Sequence, residues 1–75
     1  MLLPDAVSAA GWMIYSVDTR RGSPLMTLRN VRLSASTAPQ AIASLTLAML
    51  NIGWAVIHQG QEGPIWSVLL QKEPA

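Results

Sequence analysis

Thr37-Ala38-Pro39-Gln40-Ala41-Ile42-Ala43-Ser44-Leu45-Thr46-Leu47-Ala48-Met49-Leu50-Asn51-Ile52-Gly53-Trp54 is the stretch on which the fold turns. Thr37 with Gln40 three residues later reads as a capping box, and Pro39 is tolerated in a first helical turn. The pattern predicts a helix from Ala38 to Asn51, stopped at Gly53. Ile42, Leu45, Met49 and Ile52 recur at helical spacing and mark the core face. Ala43, Leu47 and Leu50 form a second apolar stripe beside it, and the polar residues Gln40, Ser44, Thr46 and Asn51 carry no charge. A helix apolar on two sides is covered on two sides. One side meets a sheet. The other, with Leu47 and Leu50, is expected to be the interface of a homodimer, unless an apolar sheet face takes that part.

The charge-free character extends past the helix. From Leu33 to Gln61 the chain runs 29 residues without Asp, Glu, Lys or Arg. Arg20, Arg21, Arg29 and Arg32 flank it upstream, an arrangement that raises a membrane span. A span needs about 20 consecutive apolar residues. Pro39, Gln40, Asn51 and the Gly53-Trp54 break interrupt this window, and the flanking segments read as strands joined by turns. A buried helix followed by a strand is the preferred reading, and the membrane is not expected as a partner.

Outward from the helix, a faint repeat emerges. Ala10-Gly11-Trp12 leads into Met13 to Val17, a turn at Arg21 to Pro24, and a strand from Leu25 to Leu33. Ile52-Gly53-Trp54 leads into Ala55 to Gln59, a turn at Gly60 to Pro64, and a strand from Ile65 to Gln71. Glycine just past a helix supplies the left-handed residue that ends it, and tryptophan suits a half-buried strand. Pro4 to Ala10 fits a short helical turn ending at Gly11. The expected fold is α+β. A small antiparallel sheet of about four strands, in two hairpins, packs on one central helix in the order ββαββ.

Length and composition limit what such a fold can do. Residues 1–75 make a single domain, and one small core supplies roughly 3–5 kcal/mol. With no Cys and one His, disulfides and zinc sites are excluded as staples. The chain is 51% hydrophobic and 12% charged, against about 25% charged in ordinary domains. Part of so thinly charged a surface is expected to be covered by a partner subunit. A net charge of +1 gives no global attraction for nucleic acid. Met1 to Asp5 lacks the basic start and apolar run of a signal peptide, so a cytoplasmic location is expected.

Chemistry-bearing residues are sparse. His58 is the one candidate general base, beside a turn, and Asp5, Asp18, Glu62 and Glu73 are scattered singly. Nucleophile, base and orienting group must converge, and this inventory does not supply them. No enzyme activity, catalytic residue, metal site or cofactor is expected. Gly60-Gln61-Glu62-Gly63-Pro64 reads as a hairpin turn and not as a phosphate loop.

The polar feature of most weight is the set Arg20, Arg21, Arg29 and Arg32 on a predicted hairpin without acids between Thr19 and Leu33. Arginine is favoured at protein interfaces, and a basic ribbon can also follow a phosphate backbone. The ribbon lacks interleaved aromatic residues, which disfavours base stacking. Trp12, Trp54, Trp66 and Tyr15 are all the aromatic residues. Three tryptophans exceed what one small core comfortably holds, so at least one is expected at an interface. Arg20, Arg21, Arg29, Arg32, Trp12 and Trp66 are therefore the expected partner-binding residues.

The last forty residues combine a capped helix, Leu50-Asn51-Ile52-Gly53-Trp54-Ala55-Val56-Ile57, a turn, and Ile65-Trp66-Ser67-Val68-Leu69-Leu70-Gln71-Lys72. This half of the chain resembles the ending of a family of short bacterial proteins without assigned activity, which join a helix to a Gly-Trp-strand hairpin ending in a basic residue. The resemblance implies a fold and no function. By analogy, small cysteine-free α+β chains are similar to phage and mobile-element accessory proteins that bind and block a host protein. The expectation is a non-enzymatic interaction module, a regulator or inhibitor acting on a protein partner. Nucleic-acid binding through the arginine hairpin is the alternative.

Overall fold

The computed structural model describes residues 2–74. The chain runs α1 (Asp5–Ala9), β1 (Met13–Asp18), β2 (Leu25–Asn30), α2 (Ala38–Leu50), β3 (Trp54–Glu62) and β4 (Ile65–Lys72). The four strands form one sheet in the order β1-β2-β4-β3, antiparallel throughout. This is the expected α+β fold of two hairpins around a central helix. Among the described residues, no helix is long and apolar enough to cross a membrane.

One face of the sheet carries the core. Met26 and Leu28 from β2, with Val68 and Leu70 from β4, are buried against Ile42, Leu45 and Met49 of α2. Val7 of α1, Trp12 and Trp54 complete the cluster. Burying a leucine- or methionine-sized side chain contributes about 1.5–3 kcal/mol relative to leaving it exposed. α2 thus uses three of the four predicted core positions. Ile52 is exposed because the helix ends at Leu50 and the following turn carries residue 52 off the stripe. Chain reversal there uses Gly53 at φ 88.

The helix begins differently from the expected capping box. Thr37 makes no side-chain cap bond. Its hydroxyl instead bonds the Ser34 carbonyl at 3.2 Å and accepts from the Ser34 backbone N–H at 3.2 Å. The Ser34 carbonyl also accepts from the N–H groups of Thr37 and Ala38. Serine and threonine hydroxyls readily bond local backbone, and the Ser34 turn takes the hydroxyl that a cap would use.

Strand limits shift for identifiable reasons. β2 stops at Asn30 and not at Leu33, where the Asn30 side chain turns the chain by accepting from the Arg32 N–H at 2.9 Å. β3 continues through Gly60 to Glu62, leaving only Gly63-Pro64 as the loop to β4. Gly63 has φ 60, and proline cannot take positive φ, which fits the II′ turn that joins two-residue hairpins.

The two halves of the sheet share one layout. Gly11 and Gly53 both take positive φ, 102 and 88, and each precedes a buried tryptophan. Each edge strand then carries one extra residue three positions after its tryptophan, Tyr15 in β1 and Ile57 in β3. The side-chain amide of Asn30 donates to the Ala10 carbonyl at 3.1 Å, and the Lys72 amine donates to the Ile52 carbonyl at 3.2 Å. A shift of 42 residues maps one set onto the other, pairing register included. The local twofold implied passes between Thr27 and Leu69, which pair directly.

Candidate interaction surfaces

The strand pairings sort the second face of the sheet into three cross-strand rows. They are Met13–Arg29–Ser67–Gly60, Ser16–Thr27–Leu69–His58, and Asp18–Leu25–Gln71–Ala55. No helix covers this face. An antiparallel sheet with a solvated face normally carries polar residues there. Here Met13, Leu25 and Leu69 occupy row positions, with Ile65 at the end of β4. The β1 bulge adds Tyr15, 60% exposed. The extra residue of a bulge is re-aimed relative to the strand alternation.

Arg29 is the one cation within these rows. Its guanidinium lies 3.6 Å from the centroid of the Tyr15 ring, a contact worth about 0.5–1 kcal/mol at exposed sites. Its Nε is buried with no hydrogen-bond partner among the described residues. His58 stands in the central row opposite Leu69 and is exposed. Single-chain periodicity showed none of this, because a bulge breaks the alternation without leaving a mark in composition.

The four arginines do not form one patch. Arg20 and Arg21 lie in the loop after β1, whereas Arg29 and Arg32 lie at the far end of β2. Five residue steps of strand, about 17 Å, separate the two ends. Arg20 is engaged by Asp18, from Nη2 to Oδ2 at 2.9 Å. The Asp18 carboxyl is held below its ordinary range, first by the Arg20 side-chain bond and then by the Arg20 backbone N–H. Arg32 lies over Gly11, where its Cδ would meet an added Cβ at 2.9 Å.

The tryptophans are core residues. Trp12 is 2% exposed and Trp54 is buried, while Trp66 packs half-buried against the same cluster. Trp12 and Trp54 therefore offer no exposed contact, and half-buried Trp66 is the tryptophan that keeps surface. Two short helices and a four-stranded sheet hold all three because the Gly-Trp corners place Trp12 and Trp54 at opposite halves of the core. The exposed aromatic side chain is Tyr15.

Comparison with known families, curated proteins and solved structures finds no match to this chain.

The outer stripe of α2 stands where the sequence placed it. Leu47 is 68% exposed and Leu50 is also exposed. Leu47 borders an open groove of about 480 Å³ with Pro39, Ala43, Thr46 and Gln59. Between α1 and α2 lies a second, apolar groove of about 180 Å³, floored by Trp12 and flanked by Ala6, Ala10, Ala41 and Ala48. Small-molecule pockets usually span about 300–1,000 Å³, so the second groove is undersized for one. Among the described residues, no three of His, Asp and Glu converge in a way that could hold a metal ion.

Proposed function

We propose that this protein is a non-enzymatic interaction module, a regulator or inhibitor that acts by binding another protein. The observation that carries this reading is the uncovered leucine stripe of α2. A helix without a single charge presents Leu47 and Leu50 to solvent beside a groove. Exposed apolar surface of this kind marks protein contacts more often than scattered single side chains do. Leucines on the outer side of a helix apolar on two faces, next to a shallow groove, suit a partner's apolar side chains. The residue inventory supports the same reading, with one His, no Cys and four carboxylates far apart in the chain.

Affinity capture from the native host tests it. Wild-type bait should retain a discrete partner protein that Leu47→Glu and Leu50→Glu baits lose, with their fold unchanged by circular dichroism. Retention of the same proteins by all three baits, or of none above background, contradicts the assignment.

A further inference from the structure

We propose that the open face of the sheet is a homodimer interface, in which two copies pack face to face about a twofold axis along the Ser16–Thr27–Leu69–His58 row. The proposal rests on the reading of the protein as an interaction module and names a second copy of the chain as the occupant of this surface. Size separates the open sheet face from the outer stripe of α2. Four strands at about 4.8 Å and six residues at about 3.3 Å give the sheet face a footprint of about 400 Å². The outer stripe of a 13-residue helix is about 20 Å long and less than about 10 Å wide, a footprint of at most about 200 Å². A stable dimer of two preformed faces buries about 800 Å² of accessible surface per partner, whereas a stripe beside its groove suits a partner segment that wraps around it. Side chains standing off the sheet add accessible area to its footprint, so the sheet is the surface that approaches this figure.

Charge complementarity selects the second copy and the axis. Arg29 lies in the row on one side of the centre, and Asp18 in the row on the other. A twofold along the central row lays each outer row over the opposite outer row of the second copy. Arg29 then comes within one strand spacing of the partner subunit's Asp18, whose carboxylate already holds Arg20 and takes Arg29 as a second cation. The contact occurs twice, as an isologous interface requires. Arg29 pairs with no carboxylate of its own chain among the described residues. A twofold running along the strands would instead set the two Arg29 side chains near each other, because β2 is central in the sheet. Like charges in a desolvated interface oppose association.

Apolar and uncharged polar side chains share the remaining area, with Ser16, Thr27 and His58 in the axis row beside Leu69. Leu69 meets its own copy at the axis, with Leu25, Met13 and the bulged Tyr15 and Ile57 around it. Two antiparallel sheets stacked this way leave about 10 Å between them, the ordinary spacing of a sandwich.

Light scattering on the full chain, from micromolar to millimolar concentration, tests the proposal. Wild type should reach twice the 8.1 kDa chain mass, and Leu69→Glu should remain monomeric with an unchanged circular dichroism spectrum. Leu47→Glu should remain dimeric. Arg29→Glu should weaken association at least tenfold, about 1.4 kcal/mol, and adding Asp18→Arg should restore it. A wild-type chain that stays monomeric throughout overturns the proposal, while the capture experiment still decides the wider reading. A dimer split by Leu47→Glu and untouched by Leu69→Glu also overturns it, and leaves the interaction module standing.

Discussion

Asn30 and Lys72, 42 positions apart, close the same corner in the two halves of the sheet. Each donates from its side chain to the carbonyl just before a Gly-Trp pair, Asn30 to Ala10 at 3.1 Å and Lys72 to Ile52 at 3.2 Å. The two corners differ in burial. Asn30 is fully buried, its Oδ1 also receiving the Arg32 N–H at 2.9 Å, whereas Lys72 is exposed and lies over Trp54.

That difference sets unequal consequences. Asn30→Ala leaves a carbonyl and an N–H without their partner in a buried corner and should cost about 1–3 kcal/mol. Lys72→Met keeps the apolar stem over Trp54 and should cost less than about 1 kcal/mol. Urea denaturation of both variants checks the order. Equal losses would show that the corners are not graded by burial.

The glycines of the two corners predict a second ranking. Gly11→Ala would set a Cβ 2.9 Å from Arg32 Cδ and 3.1 Å from Asn30 Oδ1, and Gly53→Ala would set one 2.9 Å from the flexible Lys72 Nζ. Both positions also require positive φ, so each loss should exceed about 1 kcal/mol. Gly11→Ala should be the worse, because buried Asn30 cannot give way whereas Lys72 can swing aside. Thermal denaturation gives the answer. A Gly53→Ala variant less stable than Gly11→Ala would contradict the account.

Core and outer stripe should respond in opposite ways to the same chemistry. Leu28→Ala, at a fully buried site, should cost about 2–5 kcal/mol. Leu47→Ala should change chain stability by no more than about 0.5 kcal/mol either way. Guanidinium unfolding at low protein concentration separates the two. A large loss for Leu47→Ala would mean that this side chain supports the fold itself.

Asp18 offers a prediction about pH. Its carboxyl is held below the ordinary value of 3.8 by the Arg20 side chain first and the Arg20 N–H second. The contribution is therefore present above the unfolded pKa and is lost as pH falls through the lower folded value. Carbon-detected titration should find Asp18 below 3.8, and Arg20→Ala should raise it. An unchanged titration in that variant would show that the turn, and not the arginine, sets the shift. Because the pair is exposed, its effect on overall stability should be small.

The separation of the arginines bears on nucleic acid. Arg20 is engaged by Asp18 and Arg29 lies over Tyr15, so the hairpin does not present four free cations on one side. Retention on immobilised duplex DNA at moderate salt should be weak, and replacing Arg20, Arg21, Arg29 and Arg32 with Ser should change it little. Strong binding with a steep salt dependence, lost in that variant, would instead establish the basic ribbon as the functional surface.

Much of the architecture was legible because its signals are local. Helical spacing from Ile42 to Met49, and glycine before Trp12 and Trp54, define α2 and both corners without reference to any distant contact. Ile52 was misplaced because the apolar period outlasts the helix by one member. Thr37 and Gln40 carry a capping pattern, yet Ser34, Ser36 and Thr37 compete for the same hydroxyl bonds, and spacing does not say which wins. The bulges at Tyr15 and Ile57 depend on cross-strand register, which one strand's alternation does not encode. For that reason the open face is legible only as a sheet face that a second copy could cover, and its principal side chains are not. The arginines looked clustered in sequence because a hairpin's two ends are near in number and far in space.

Isotope-filtered nuclear Overhauser measurements on a mixture of labelled and unlabelled chains detect the contact between the two sheet faces itself. Intermolecular contacts from the Leu69 methyl groups and the Tyr15 ring to the second copy, with none from Leu47, are the predicted result. Contacts confined to Leu47 and Leu50, or none at concentrations well above those of the light-scattering series, would contradict the sheet-face dimer.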